Sequence, residues 1–242
     1  IIKSIFETLN TIYNGMKYKP GLFIGIDPLN ALAGIILKKV GFTKKTIFYC
    51  VDYTPTRFNN KLINSIYLWI DKTCAINSDE VWNVSNRIVN LRREQRVAEN
   101  KIKYLPNSPR FSDCIRMQEK DIKNNQIVMV IGQTHNPIVD LVLKSFANLS
   151  KKIPNLKLKI IGSGKKRIQK NVEYLGQLEN MELLKVVSKS RIALAIYTFS
   201  KDYSWVYYGD SKKAREYLAC GVPVIITDVV GTSDDIKKYN AG

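Results

Sequence analysis

The stretch 207–228, YYGDSKKAREYLACGVPVIITD, divides into a loop, a short helix, a glycine stop and a buried strand. Asp210 or Ser211 can cap the helix, because either side chain can accept from the free N–H groups of the first turn. Gly221 offers the left-handed residue that ends it, and Pro223 blocks continuation. The β-branched run 222–227 is short enough for a fully buried strand. Ala214, Tyr217 and Leu218 fall at i, i+3 and i+4 and make the face that packs on a sheet. Lys212 and Glu216, four apart, share a face roughly opposite. They read either as an exposed ion pair or as part of an anion site. In the second reading the helix N-terminus attracts phosphate, Lys212 adds a point charge, and Glu216 accepts hydrogen bonds from sugar hydroxyls.

Outward from this stretch strands alternate with helices, the pattern of parallel sheets with crossover helices. Before it, the spacing predicts strands at 126–132, 156–161, 172–175 and 192–197, with helices over 139–152 and 181–189. A further helix begins at 233. In the first half the expected strands are 21–26, 46–51, 73–76 and 101–105, with helices over 30–40 and 59–70 and another capped by Ser78. Between the halves, 108–125 turns to proline, serine, asparagine and charge and reads as a linker. The expected fold class is therefore α/β, with two Rossmann-like domains, 1–107 and 126–242, joined by 108–125. Ligands of open parallel sheets gather at strand C-termini. That rule selects Asp27, Asp52, the stretches 132–136 and 162–166, and 200–211. The sequence GSGKKR at 162–167 lacks the four-residue gap of a P-loop, so nucleotide hydrolysis is not expected.

A chain of 242 residues that is 45% hydrophobic can build real cores and is not disordered. No apolar run approaches the roughly 18 residues of a membrane-spanning helix. The 4 cysteines are scattered and there is 1 histidine, which leaves no zinc-ligand spacing. Scattered free cysteines point to a reducing compartment, the cytoplasm. The net charge of +17, from 38 basic and 21 acidic residues, suits an anionic partner: nucleic acid, an anionic membrane or a sugar nucleotide. Aromatic–basic interleaving is absent, which makes nucleic acid the weaker choice. Arg92, Arg93, Arg96, Lys101 and Lys103 form a basic cluster. It reads either as a peripheral contact with anionic membrane or as a solvated helix end. The opening IIKSIFETLNTIYNGMK reads as the middle of a helix, so a fragment truncated at both ends is expected.

The stretch 207–228 resembles the donor-binding motif of retaining GT-B glycosyltransferases, the large family related to glycogen and sucrose synthases. That motif is an acid, seven residues, a second acid, then a small-residue run ending in G-x-P-V and a strand. Glu216 matches the second acid, and Ala219-Cys220-Gly221-Val222-Pro223-Val224 matches the run after it. The first acid falls at 208, where this chain has Tyr208; Asp210 is the nearest carboxylate. The likeness extends over 126–242, through a strand ending in Val130-Ile131-Gly132, a G-x-G strand end at 162–164 and the turn Val172-Glu173-Tyr174-Leu175-Gly176. Residues 18–105 are similar to an acceptor domain, less specifically.

The resemblance implies a cytoplasmic enzyme that moves a sugar from a nucleoside diphosphate sugar to an acceptor, a lipid-linked or polysaccharide precursor. It implies retention at the anomeric carbon and no obligatory metal or other cofactor. It gives Glu216 the donor's ribose and makes Lys212, Ser211, Asp210, Gly132, Gln133, His135 and Tyr174 donor-side candidates. Asp52 and Tyr53 mark the acceptor side. Family members place an arginine just after the first glycine and a lysine a few residues later, both meeting the diphosphate. Here Gln133 and the turn His135-Asn136-Pro137 stand in those places. Phosphate charge then falls to Lys212, the helix N-terminus and Lys165 or Lys166. A relative that kept the fold but lost transfer stays open as an alternative, motivated by Tyr208 and Gln133. Nucleic-acid binding is motivated by charge alone.

Overall fold

The computed structural model describes residues 2–133, 136–198 and 204–242. They divide into two units: unit 1 holds 2–106 with 204–210, and unit 2 holds 107–198 with 211–242. The stretch expected as a linker, 108–125, lies in unit 2, and its last residues already belong to a strand.

Unit 1 is a 4-stranded parallel sheet in the order β1 (Leu22–Ile26), β2 (Lys45–Cys50), β3 (Glu80–Asn83), β4 (Ile102–Tyr104). Its helices include α1 (Ile2–Tyr18), α2 (Pro28–Lys39), α3 (Lys61–Asn77) and α4 (Asn86–Glu94). Asp27, expected at a ligand-binding strand end, caps α2: its carboxylate accepts from Leu29 N at 2.8 Å and Asn30 N at 3.1 Å. Gly25 lets that helix start against β1, since a Cβ there would stand 2.4 Å from the backbone of Ala31.

The third strand is not 73–76. Those residues form the last turn of α3, with Cys74 and Ala75 fully buried on its inner face, and the strand is Glu80–Asn83. A short apolar run reads the same in a buried helical turn as in a strand, because too few residues are present to show a period. Ser78 accordingly ends α3, and Ser85 caps α4 by accepting from Ile88 N at 3.3 Å.

Arg92 of α4 is fully buried. Its Nη1 and Nη2 grip both carboxylate oxygens of Asp71 on α3, Nη2 to Oδ1 at 2.9 Å. Its other hydrogen bonds reach Gln95 Oε1 at 2.8 Å, Cys50 Sγ at 3.2 Å and Asn83 Oδ1 at 3.4 Å. The guanidinium also lies 5.2 Å and 5.7 Å from the ring centres of Phe48 and Tyr53. A buried cation survives only with a counter-charge and a full set of acceptors. Arg92 therefore ties α3, α4 and the ends of β2 and β3 together. The basic cluster expected at 92–103 is corrected in one member, Arg92, and two of the others have partners. Arg92 is no surface charge, Arg93 is paired with Glu99 at 2.7 Å, and Lys101 donates to the Ile76 carbonyl at 2.9 Å.

A helix the periodicity did not show, α7 (Ser204–Tyr208), packs on α4 in the same unit. Its Tyr208 carbonyl accepts from Ser85 Oγ at 2.6 Å, and its ring meets Tyr53 edge to face at 4.8 Å.

Unit 2 is a 5-stranded parallel sheet in the order β7 (Val172–Gly176), β6 (Lys157–Ser163), β5 (Lys123–Gln133), β8 (Ser190–Ala195), β9 (Val224–Ile226). Alternate residues of the central strand β5 serve opposite faces. Met129 and Ile131 pack with Val139, Val142 and Phe146 of α5 (Pro137–Ser150). Val128 and Val130 pack on the other side with α6 (Asn180–Ser188), α8 (Lys212–Ala219) and α9 (Thr232–Lys238). Two buried faces are why these strands read as continuous apolar runs. Gly162 lets β6 stay close to β5 through the register shift before the Gln133↔Ser163 pair, since a Cβ there would stand 2.0 Å from the Ile131 carbonyl oxygen.

Asp71→Ala leaves Arg92 buried without its counter-charge and is expected to destabilise unit 1 by about 3–5 kcal/mol. Glu99→Ala, at an exposed pair, should leave the urea midpoint almost where it was. Equal midpoints for the two variants would show that the buried pair does not hold the unit together.

Candidate functional site

Of the two residues able to cap α8, Ser211 does so. Its Oγ accepts from Ala214 N at 3.1 Å and shares a 2.5 Å hydrogen bond with Tyr197 Oη, while Ser211 N donates to Thr232 Oγ1 at 2.5 Å. The hydroxyl is buried and engaged, so Ser211 holds the helix start in place from beneath. Asp210 belongs to unit 1, where its charge, after burial, raises the pKa of the Tyr49 phenol.

Lys212 and Glu216 do make the i,i+4 pair, at 3.5 Å, but it is not a solvated one. Lys212 is exposed, whereas Glu216 is only 9% exposed. Apart from Lys212, the described residues give the Glu216 carboxylate no hydrogen bond or ion pair. It lines an open cleft of about 320 Å³ with Lys212, Asn180, Ser108, Arg110 and Asp113. The segment that supplies the last three is fastened to the end of α8, where Arg116 Nε donates to the Ala219 carbonyl at 3.1 Å. A carboxylate this buried calls for donors, and the cleft is the side from which they can come.

The remaining candidates are dispersed. Gly132 and Gln133 end β5. Beyond Gly132 lies open space, since a Cβ there would meet nothing within 4 Å, and its carbonyl accepts from Ser163 Oγ at 2.9 Å. His135 lies outside the described residues. Tyr174, on the edge strand β7, packs into the α5 face of the sheet, opposite the face that carries α8. Its hydroxyl is buried without a partner. In unit 1, Asp52 is exposed, yet burial of its surroundings raises its pKa against the opposing charge of Arg57. Tyr53 is committed to the core between Tyr208 and Arg92, and burial pushes its phenol up to about 12. Tyr208, standing where the resemblance puts an acid, is a core-packing aromatic of unit 1. Among the described residues no group of three His, Cys, Asp or Glu side chains clusters as a metal site, and no helix is long and apolar enough to cross a membrane.

Two side chains of α8 carry a role the sequence reading did not assign. The register of β8 against β5 ends at Met129↔Leu194, so the next backbone groups of β5 lose their strand partner on that side. Tyr217 Oη accepts from Val130 N at 2.9 Å, and Lys213 Nζ donates to the Val130 carbonyl at 3.2 Å. Lys213 also lies 5.7 Å from the Tyr197 ring centre, and burial lowers its pKa, opposed by the charge of Glu216. The available signal was its spacing: Lys213 stands four before the sheet-facing Tyr217 and so shares its face.

Residues 125–242 match the model of a family described as Glycosyl transferases group 1. No curated protein matches the chain. Solved structures do. A sucrose-phosphate synthase from Thermosynechococcus elongatus is 16% identical, with a TM-score of 0.62 over 89% of this chain and 58% of that one. Anabaena HepE in complex with UDP-glucose is 11% identical, with a TM-score of 0.66 over 95% of this chain and 65% of that one. The lipopolysaccharide outer core galactosyltransferase WaaB is 17% identical, with a TM-score of 0.66 over 98% of this chain and 65% of that one. The chain thus spans 58% to 65% of the length of these structures. The expected fold is borne out: two parallel-sheet α/β units in the GT-B arrangement of chain order, the second carrying the family match.

Tyr217→Phe removes the acceptor from a buried Val130 N–H. The expected cost is about 1–3 kcal/mol in urea unfolding; a loss near zero would show that this N–H finds another acceptor.

Proposed function

We propose that this GT-B-fold chain, whose residues 125–242 match the Glycosyl transferases group 1 family, takes part in sugar transfer from a nucleoside diphosphate sugar. Glu216 carries the reading. It is a carboxylate held almost out of water on α8, faces an open cleft, and among the described residues has the Lys212 ammonium at 3.5 Å as its one partner. Paired ribose hydroxyls are donors of the right number and charge for it. The cleft also holds Arg110, Lys212 and Asn180, which offer cationic and amide donors to a polar ligand. Uridine is the first base to try, because HepE was solved with UDP-glucose.

In this reading the bond from the sugar's anomeric carbon to the diphosphate breaks and a bond to an acceptor hydroxyl forms with retention, the hydroxyl proton leaving toward the departing phosphate. The protein's share is positioning and stabilisation of the diphosphate's charge. Asp52 is the acceptor-side candidate of unit 1, for a lipid-linked or polysaccharide precursor. A second reading, a binding relative without transfer, is favoured by one observation: Tyr208 fills the first-acid position and is packed into the core of unit 1. Radiolabelled sugar transfer to candidate acceptors separates the two readings, since only the first yields product.

The donor assignment is tested by titrating the chain and its Glu216→Ala variant with UDP-glucose in a calorimeter. Loss of a charged hydrogen bond worth about 1.5–3 kcal/mol should weaken binding by roughly ten- to a hundredfold. The thermal midpoint should stay close to that of the unmodified chain. Equal affinities would remove Glu216 from the site.

A further inference from the structure

The sheet order of unit 2, β7-β6-β5-β8-β9, reverses direction at β5: the chain steps outward through β6 and β7, then returns to the other side of β5 for β8 and β9. In open parallel sheets such a reversal places the ligand-receiving position at the C-terminal ends of the two strands that flank it, here β5 and β8. Lys213 sits there. Its ammonium takes the ladder position that β8 vacates after Leu194 and hydrogen-bonds the Val130 carbonyl at 3.2 Å. The Tyr197 ring centre lies 5.7 Å from the same ammonium. Two residues farther along β5, Gly132 borders open space, and the strand ends on the uncharged Gln133.

An ammonium has three donors, and one carbonyl uses one of them. Among the described residues no carboxylate lies within ion-pair distance of Lys213, whereas Lys212 already has Glu216 at 3.5 Å. A half-buried cation with spare donors and no counter-ion is poised for an anion from outside the chain. The adjacent N-terminus of α8 presents the same sign of charge. We infer that Lys213, rather than the exposed Lys212, is the cation that receives the diphosphate of the donor. This rests on the nucleotide-sugar reading above and deepens it: Glu216 takes the ribose and Lys213 the phosphates.

The decisive variant is Lys213→Gln, whose amide can still donate to the Val130 carbonyl but carries no charge. Lys213→Arg restores the charge. Each is titrated with UDP and with uridine, and melted to confirm the fold. The expected result is that Lys213→Gln weakens UDP binding by about ten- to a hundredfold. Uridine binding should hardly change, and Lys213→Arg should recover most of the loss. If Lys213→Gln lowers UDP and uridine affinity by the same factor, or lowers neither, the phosphate assignment is overturned and Lys213 only completes the strand ladder. Failure of the folded, unmodified chain to bind any nucleoside diphosphate overturns the donor reading itself, and this inference with it. If Lys213→Gln does not fold, the comparison is made with Lys212→Gln at the exposed neighbour. A loss of UDP but not uridine affinity in Lys212→Gln then rejects the inference, and UDP affinity that is unchanged in Lys212→Gln yet falls steeply with salt supports it.

Discussion

A strand buried on both faces in the middle of a parallel sheet must pair every backbone N–H and C=O, and in unit 2 that demand decides where the rest goes. β6 serves one edge of β5 as far as Gln133, but β8 serves the other only as far as Met129. The two groups left over at Val130 are taken by Tyr217 and Lys213, one turn apart on α8. Two fixed points one turn apart set both the height and the rotation of a helix. Glu216 lies about 60° round the axis from Lys213, which turns it away from the sheet and into the cleft. Ser211 anchors the helix start through Tyr197 and Thr232, and Arg116 anchors its end at Ala219. The carboxylate's position follows from hydrogen bonds made by its neighbours.

Unit 1 is organised by a different solution to burial. Its sheet has four strands, and a fully buried charge, Arg92, lies beside its apolar core. Asp71, Gln95, Asn83 and Cys50 surround the guanidinium. A pair of this kind adds little net stability over an apolar core, yet strongly penalises any arrangement that leaves one partner alone. It therefore selects one mutual position for α3, α4 and the ends of β2 and β3. The same unit takes in α7 through Ser85 and Tyr53. A segment inserted between β8 and α8 in the chain thus belongs to unit 1, which a reading of contiguous domains does not anticipate.

Most of the secondary structure of unit 2 was legible because its signals are local. Ser211, Gly221 and Pro223 punctuate α8 by side-chain capping and backbone geometry alone. The β-branched runs of β5, β6 and β9 needed only their composition. The misreading at 73–76 and Ser78 has the complementary cause: four residues carry no period, and Thr73, Cys74 and Ala75 suit either state until the sheet of unit 1 shows which segment it accepts. The helical face of Lys212 and Glu216 was also legible as a face. The burial of Glu216 was not, because the residues that line the cleft around it, in the segment 108–114 and in α6, stand elsewhere in the chain.

The sequence by itself determined the alternation of strands and helices, the cap and stop of α8, the likeness of 207–228 to a donor motif, and Glu216 as the carboxylate of interest. Each depends on residues within a turn or two of one another. Only the tertiary structure decided which charges are buried. It put Arg92 in a core and not on a surface, turned Lys213 inward and left Lys212 outside, and sent Tyr174 to the face of the sheet that does not carry Glu216. The partners that decide these cases stand far along the chain, Asp71 for Arg92 and Val130 for Lys213. The free energy of a charge is set by what surrounds it in space, and no local pattern of residues carries that information.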